Sequence, residues 1–376
     1  MSGGPGTPVS VAERILQLLD EGSFSATYKQ AVLVAILDLC FEAANDKGDP
    51  PESLTTQQIA EKVIELYWPH TRHWEGETVL VQNKSGRLQD VQRGGGIISR
   101  VHAFRVRAQA ASGESTSLAR AKLLRQEEWR KLRDEVEWTL IEMPLPKLQR
   151  IGGQDTSWLY SIDWDDRDRR PSRGEVMAYQ RGAHSSFQNL VRLQPGVGQA
   201  LRQLHGMLRP FILHHWAMKV ANMNDLPLAK LHAFLFEWDR TSLEAVRAPL
   251  SALQGGNCFY CSSRLQRDAC VDHFVPWSRH PDDGLHNLVV ADSKCNGDKR
   301  DFLASASLVE KWRERNVSHG LLLEELARDA RWDPGHPRIL RVARAIYSEL
   351  PEGARLWEGR RQLVVIEHNR IRRALA

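Results

Sequence analysis

Residues 258–300 read CFYCSSRLQRDACVDHFVPWSRHPDDGLHNLVVADSKCNGDKR, and this stretch limits what the chain can be more than any other. It carries, in order, Cys258-x-x-Cys261, Asp272-His273, Asn287-Leu288-Val289 and Cys295-Asn296-x-x-Lys299. Thiols with two residues between them, in a chain with only 5 cysteines, suit metal ligation better than a disulfide framework. A neutral imidazole accepts a proton at physiological pH, and a carboxylate is a fitting ligand for Mg2+. A side-chain amide donates and accepts at once, so Asn287 can brace a loop or fix a tautomer. Val271 to Pro276 alternates as a strand does, which sends Asp272 and His273 to opposite faces unless a turn at Pro276 bends them. Lys299 lies one helical turn beyond Asn296, on the same helix face.

In this segment the chain resembles the HNH endonuclease family, whose catalytic unit is two antiparallel strands followed by a helix, the ββα-metal or His-Me finger. The resemblance implies a metal-ligand role for Asp272 and a general-base role for His273. Asn287 matches the middle asparagine, which holds the loop that orients the histidine. Asn296 matches a second metal ligand through its amide oxygen, and Lys299 is expected at the scissile or neighbouring phosphate, with Arg300 a lesser contact to the backbone. Two protein ligands leave most coordination places to water and phosphate oxygens, as Mg2+ or Mn2+ prefers. These parts meet the demands of the reaction: attacking water must lose a proton, developing charge must be neutralised, and the leaving oxygen must be stabilised. Many family members also knot the unit with zinc through two Cys-x-x-Cys pairs. Here Cys258, Cys261 and Cys295 match three ligands and Asp292 stands in the fourth place, so the expected structural Zn2+ site is Cys3Asp, with a metal-free knot as the plain alternative. Cys270 is left over as a core thiol, and His286 as a surface residue.

The flanks read mainly as helices. Val11 to Leu19 and Ala31 to Ala44 have helical spacing, the latter with Val32, Leu33, Ile36, Leu39 and Cys40 on one apolar face. Ser53 to Tyr67 reads as a helix opened by Thr55 or Thr56; it is similar to a helix of a helix-turn-helix, but nothing fixes a partner helix at the required turn, and a plain bundle helix is the favoured reading. Trp158 to Trp164 reads as a strand, and 163–173 as an exposed linker. His214-His215 point about 100° apart on a helix, which disfavours a shared metal. The formal net charge is only +4, but residues 84–133 hold twelve Lys/Arg against Asp90, Glu114, Glu127 and Glu128. Arg100, Arg105 and Arg107 there, beside Gly94-Gly95-Gly96, are candidates for phosphate contacts, with a solvated helix face as the plain alternative.

The expected architecture is mainly α with a small ββα-metal (HNH) domain, α+β overall. Four segments are expected: 1–165, helical and mixed, for DNA binding or sensing; 166–255, helical and connecting; 256–303, the HNH domain; and 304–376, helical. The expected function is divalent-metal hydrolysis of DNA phosphodiesters, in restriction or antiphage defence by family analogy. The alternatives are a non-catalytic zinc-knotted nucleic-acid-binding protein and an RNA- or single-strand-directed nuclease. No run of about 18 apolar residues occurs and Met1 to Ser10 lacks the layout of a signal peptide, pointing to a cytoplasmic protein with no membrane partner. A single site cuts one strand per event, so cutting both strands calls for a homodimer.

Overall fold

The computed structural model of the protein describes residues 6–21, 26–45, 47–76, 78–83, 96–112, 117–155, 157–164, 169–236 and 243–376. It is mainly α, α+β overall, and forms two compact units, residues 1–40 with 50–238 and residues 41–49 with 239–376. Among the described residues no helix is long and apolar enough to cross a membrane.

In the first unit the elements run α1 (Pro8–Glu21), α2 (Tyr28–Glu42), β1 (Ser53–Thr55), α3 (Thr56–Tyr67), α4 (Gly96–Ser112), α5 (Leu118–Leu124), α6 (Gln126–Glu142), β2 (Arg150–Ile151), β3 (Gln154–Asp155), β4 (Tyr160–Ser161), α7 (Arg173–Gln180), β5 (Leu190–Leu193), α8 (Val197–Asn224) and α9 (Leu228–Phe236). The one-faced pattern expected for α2 is not what the structure shows: Ala31 to Cys40 are all buried, Val34, Ala35 and Leu37 included. A helix apolar all round has to be covered all round, and the buried acid within that stretch, Asp38, is met by His205 at 3.1 Å and Arg209 at 2.9 Å from α8. Thr55 caps α3 in a reciprocal box with Gln58, which fixes where β1 gives way to helix. α3 then buries Ile59, Val63, Ile64 and Tyr67, and the Thr56 hydroxyl donates to Glu137 of α6 at 2.6 Å, as in a bundle helix.

In the second unit α10 (Glu244–Leu253) leads into β6 (Cys270–His273), β7 (Leu288–Ala291) and α11 (Ser293–Lys299). There follow α12 (Ala306–Ser318), α13 (Gly320–Ala330), α14 (Arg338–Ser348), β8 (Arg355–Gly359), β9 (Gln362–Val365) and α15 (His368–Ala374). β6 and β7 form a two-stranded antiparallel hairpin, and all four residues of β7 are buried. Val289 and Ala291 enter a core with Phe259, Phe274, Trp312 and Trp357, while Leu288 and Val290 enter another with Leu250, Leu323 and Trp332. The continuous apolar run Leu288 to Ala291 is thus the signature of a strand covered on both faces.

The four expected segments do not match this division. β4 pairs antiparallel with β5, which joins the chain across residue 165. Trp357 donates its backbone N–H to Leu303 and accepts from Ser305, which joins it across residue 303. The strand expected over Trp158 to Trp164 shrinks to Tyr160–Ser161, and part of the 163–173 linker lies outside the described residues.

Candidate active site

The hairpin register sets the site. Asp272 lies opposite Val289 and His273 opposite Leu288, so the two neighbours leave the strand on opposite faces, each beside a different core. Among the described residues only β7 pairs with β6, so both side chains border the same open strand edge.

On one face α11 packs along Cys270 and Asp272. Tyr260, from the turn between the first two cysteines, donates its hydroxyl to Asp272 Oδ2 at 2.5 Å, and Lys299 Nζ lies 3.0 Å from the same oxygen. Lys299 also donates to the His273 carbonyl at 2.8 Å and is wholly buried. A phosphate contact for Lys299 therefore does not fit: an enclosed ammonium that ties the carboxylate to the strand end has no surface from which to reach a substrate. Asn296 turns its amide N–H toward Cys270 Sγ at 3.1 Å, which leaves the amide oxygen for another ligand. Cys270 is half-buried, not a full core residue, and burial raises its thiol pKa. The two oxygens that remain, Asp272 Oδ1 and Asn296 Oδ1, are hard donors of the kind a small divalent cation takes.

On the other face His273 Nε2 lies 2.8 Å from Asp283 Oδ1, and the ring leans on Trp277 with centroids 5.3 Å apart. Burial raises the Asp283 carboxyl above its ordinary range, with the histidine acting against it. The loop that delivers Asp283 is pinned throughout. Asn287 is fully buried; its Oδ1 accepts from Val275 N at 2.8 Å and its Nδ2 donates to the Asp282 carbonyl at 2.9 Å. The Asp282 carboxylate accepts from Gly284 N at 2.7 Å and from Arg338 at 2.7 Å. Burial alone would raise the Asp282 carboxyl, but the Arg338 guanidinium holds it below the usual carboxylate range. Asn287 thus sits as a loop brace. Asp283 and Tyr260 were not singled out in the sequence; the carboxylate between His273 and Asn287 and the tyrosine inside Cys-x-x-Cys were the only traces of them.

The Sγ atoms of Cys258, Cys261 and Cys295 lie within 4.8 Å of one another, a cluster able to hold a metal ion. Three converging soft donors fit Zn2+. Asp292 is not among them: its side chain caps α11 by accepting from Lys294 N at 3.0 Å, while its own N–H donates to Cys258 Sγ at 3.3 Å. Burial raises Cys261, but hydrogen bonds from Ser263 and the other two thiols prevail and bring it down to about 7; burial pushes Cys295 up.

Elsewhere the sequence reading needs correction. Arg105 is buried in the first unit, where it donates to the Trp68 carbonyl at 2.8 Å and Thr71 Oγ1 at 3.1 Å, and burial lowers its pKa to about 10. It cannot meet a phosphate from there. Arg100 donates to Thr139 at 2.7 Å and lies 3.6 Å from the Glu135 carboxylate, and Arg107 pairs with Glu128 at 2.6 Å while its side chain stays exposed. Lys84, Arg87, Arg93, Gly94 and Gly95 lie outside the described residues. Arg300 is exposed beside the site. His286, expected on the surface, is 2% exposed, and burial lowers its pKa to about 4.

Residues 258–305 match the family model described as HNH endonuclease, which covers the hairpin, α11 and the three clustered thiols. No curated protein and no solved structure matches the chain. Residues 9–234, more than half of the chain, match the model described as Domain of unknown function (DUF8808), and the chain belongs to that family, with an HNH endonuclease domain following the matched region.

Proposed function

We propose that the protein is a divalent-metal-dependent endonuclease that hydrolyses DNA phosphodiesters at the edge of β6. The observation that carries this is the pairing of His273 with a carboxylate on one face of that edge while Asp272 and Asn296 keep one oxygen each on the other. A Mg2+ or Mn2+ ion held by Asp272 and Asn296 would supply charge neutralisation at the phosphate. His273 takes the proton of the attacking water; Lys299 and Tyr260 hold the Asp272 carboxylate in place; Asn287 keeps the loop behind the histidine closed. Zinc at Cys258, Cys261 and Cys295 would fasten the turn that carries Tyr260.

This favours a nuclease over a zinc-knotted binding protein, since a purely structural knot has no use for a carboxylate-backed histidine beside two free oxygens. The test is incubation of the purified full chain with supercoiled plasmid and with RNA, with Mg2+, Mn2+ or chelator. Metal-dependent DNA cleavage that His273→Ala lowers by about 10²–10⁴-fold, with DNA affinity retained, is expected. Wild-type cleavage rates in His273→Ala refute the assignment. Preferential RNA cleavage would move the substrate from DNA to RNA, and an open-circle product preceding linear would mark one-strand-at-a-time cutting.

A further inference from the structure

We propose that Asp283 is the positioning residue of the hydrolytic centre, fixing the His273 tautomer whose Nδ1 receives the proton of the attacking water. The proposal rests on the nuclease reading and adds a residue to it. A neutral imidazole carries one N–H, and its partner decides which nitrogen bears it. At 2.8 Å from a carboxylate oxygen, Nε2 is the donor, so the lone pair lies on Nδ1. Among the described residues Nδ1 has no hydrogen-bond partner, so it is the nitrogen left to face water. The side chains of His273 and Asp283 are only 13% and 18% exposed, which strengthens their bond over one in open solvent.

The surroundings hold that carboxylate in place at Nε2. The Asp283 carbonyl accepts from Trp332 Nε1 at 2.6 Å, and the preceding carbonyl, of Asp282, accepts from Asn287. Arg338 pairs with Asp282, so the adjacent carboxylate is neutralised and does not compete for the imidazole. On this account the asparagine brace acts on the chemistry through Asp283, one residue beyond the carbonyl it holds. In the reaction the water oxygen forms its bond to phosphorus as its proton passes to Nδ1, while the bond from phosphorus to the leaving sugar oxygen breaks and that oxygen departs with the electron pair and takes a proton from solvent. The Nε2 proton stays on the ring, and the imidazolium so formed faces the carboxylate.

The test uses the full chain with ¹⁵N-labelled histidine, at a pH above the imidazole range, together with single-turnover cleavage. His273 in the wild type is expected to show a pyridine-type Nδ1 and a pyrrole-type Nε2. Asp283→Asn keeps the shape and removes the charge. It is expected to weaken or reverse that preference and to slow single-turnover cleavage by about 10²-fold or more with DNA affinity unchanged, and Asp283→Glu is expected to recover part of the rate. A pyrrole-type Nδ1 in the wild type overturns the proposal, as does an Asp283→Asn variant with the wild-type rate. An Asp283→Asn variant that is merely less stable, with the tautomer intact, also overturns it. Absence of cleavage by the wild type would instead refute the nuclease reading, with the nitrogen shifts still deciding the tautomer.

Discussion

Lys299 Nζ stands 3.0 Å from Asp272 Oδ2 with no exposed surface of its own. Removing one partner of an enclosed ion pair leaves the other charge without compensation, at a cost of about 3–5 kcal/mol. Lys299→Ala is therefore expected to unfold at distinctly lower denaturant concentration, with the DNA affinity of the folded fraction unchanged. Weaker DNA binding at unaltered stability would return Lys299 to the phosphate.

The three-thiol cluster and the Asp292 cap separate two effects that the sequence merges. Protein purified without chelator is expected to carry zinc, lost in Cys258→Ser together with thermal stability. Asp292→Ala should keep the metal and lose only the cap, about 1 kcal/mol. Loss of zinc in Asp292→Ala, read by elemental analysis, would make the carboxylate a ligand after all.

Arg105 is expected to act on folding. Its two hydrogen bonds and its place 5.0 Å over the Trp68 ring are internal to the first unit, so Arg105→Ala should destabilise by about 1–3 kcal/mol. The salt dependence of DNA binding should not change with it. A flattened salt slope with native stability would show that the side chain does reach phosphate.

His286 gives stability a pH dependence of definite sign. Its folded pKa is lowered to about 4 by burial, with the nearby charges of His336 and Arg315 adding to the effect, against an ordinary value of 6.5. Between those values the unfolded chain binds the extra proton and the folded one does not. The stabilisation is whole above about pH 6.5 and is lost as the pH falls toward 4. His286→Leu is expected to flatten that decline in the melting temperature between pH 7 and 5, and an equally steep decline in the variant would count against it.

The candidate-site residues were legible because chemistry fixes their type and the hairpin fixes their spacing: Asp272, His273, Asn287 and Asn296 all fall on β6, β7, α11 or their junctions. What was not legible depends on partners distant in sequence or on burial. Asp283 meets His273 only because Asn287, Trp332 and Arg338 shape the intervening loop. Arg105 reads as a surface charge until Trp68 and Thr71 enclose it, and Lys299 until β6 covers it. α2 reads as one-faced from the spacing of Val32, Leu33, Ile36, Leu39 and Cys40, whereas burial runs through Ala31 to Cys40 and His205 and Arg209 meet Asp38 in the interior.

The HNH match ends at residue 305, yet the hairpin is walled on one face by Trp312 and Trp357 and on the other by Leu323 and Trp332. Within the same unit His280 Nε2 lies 2.9 Å from the Glu42 carboxylate, and Arg341 donates to the Glu42 carbonyl at 2.6 Å. The smallest portable unit around the HNH match is accordingly larger than its motif and discontinuous in the gene. A swap or truncation that takes only the recognisable stretch would carry the candidate-site side chains away from the walls that flank them, and even a clean cut at residue 239 would leave behind the short piece at 41–49.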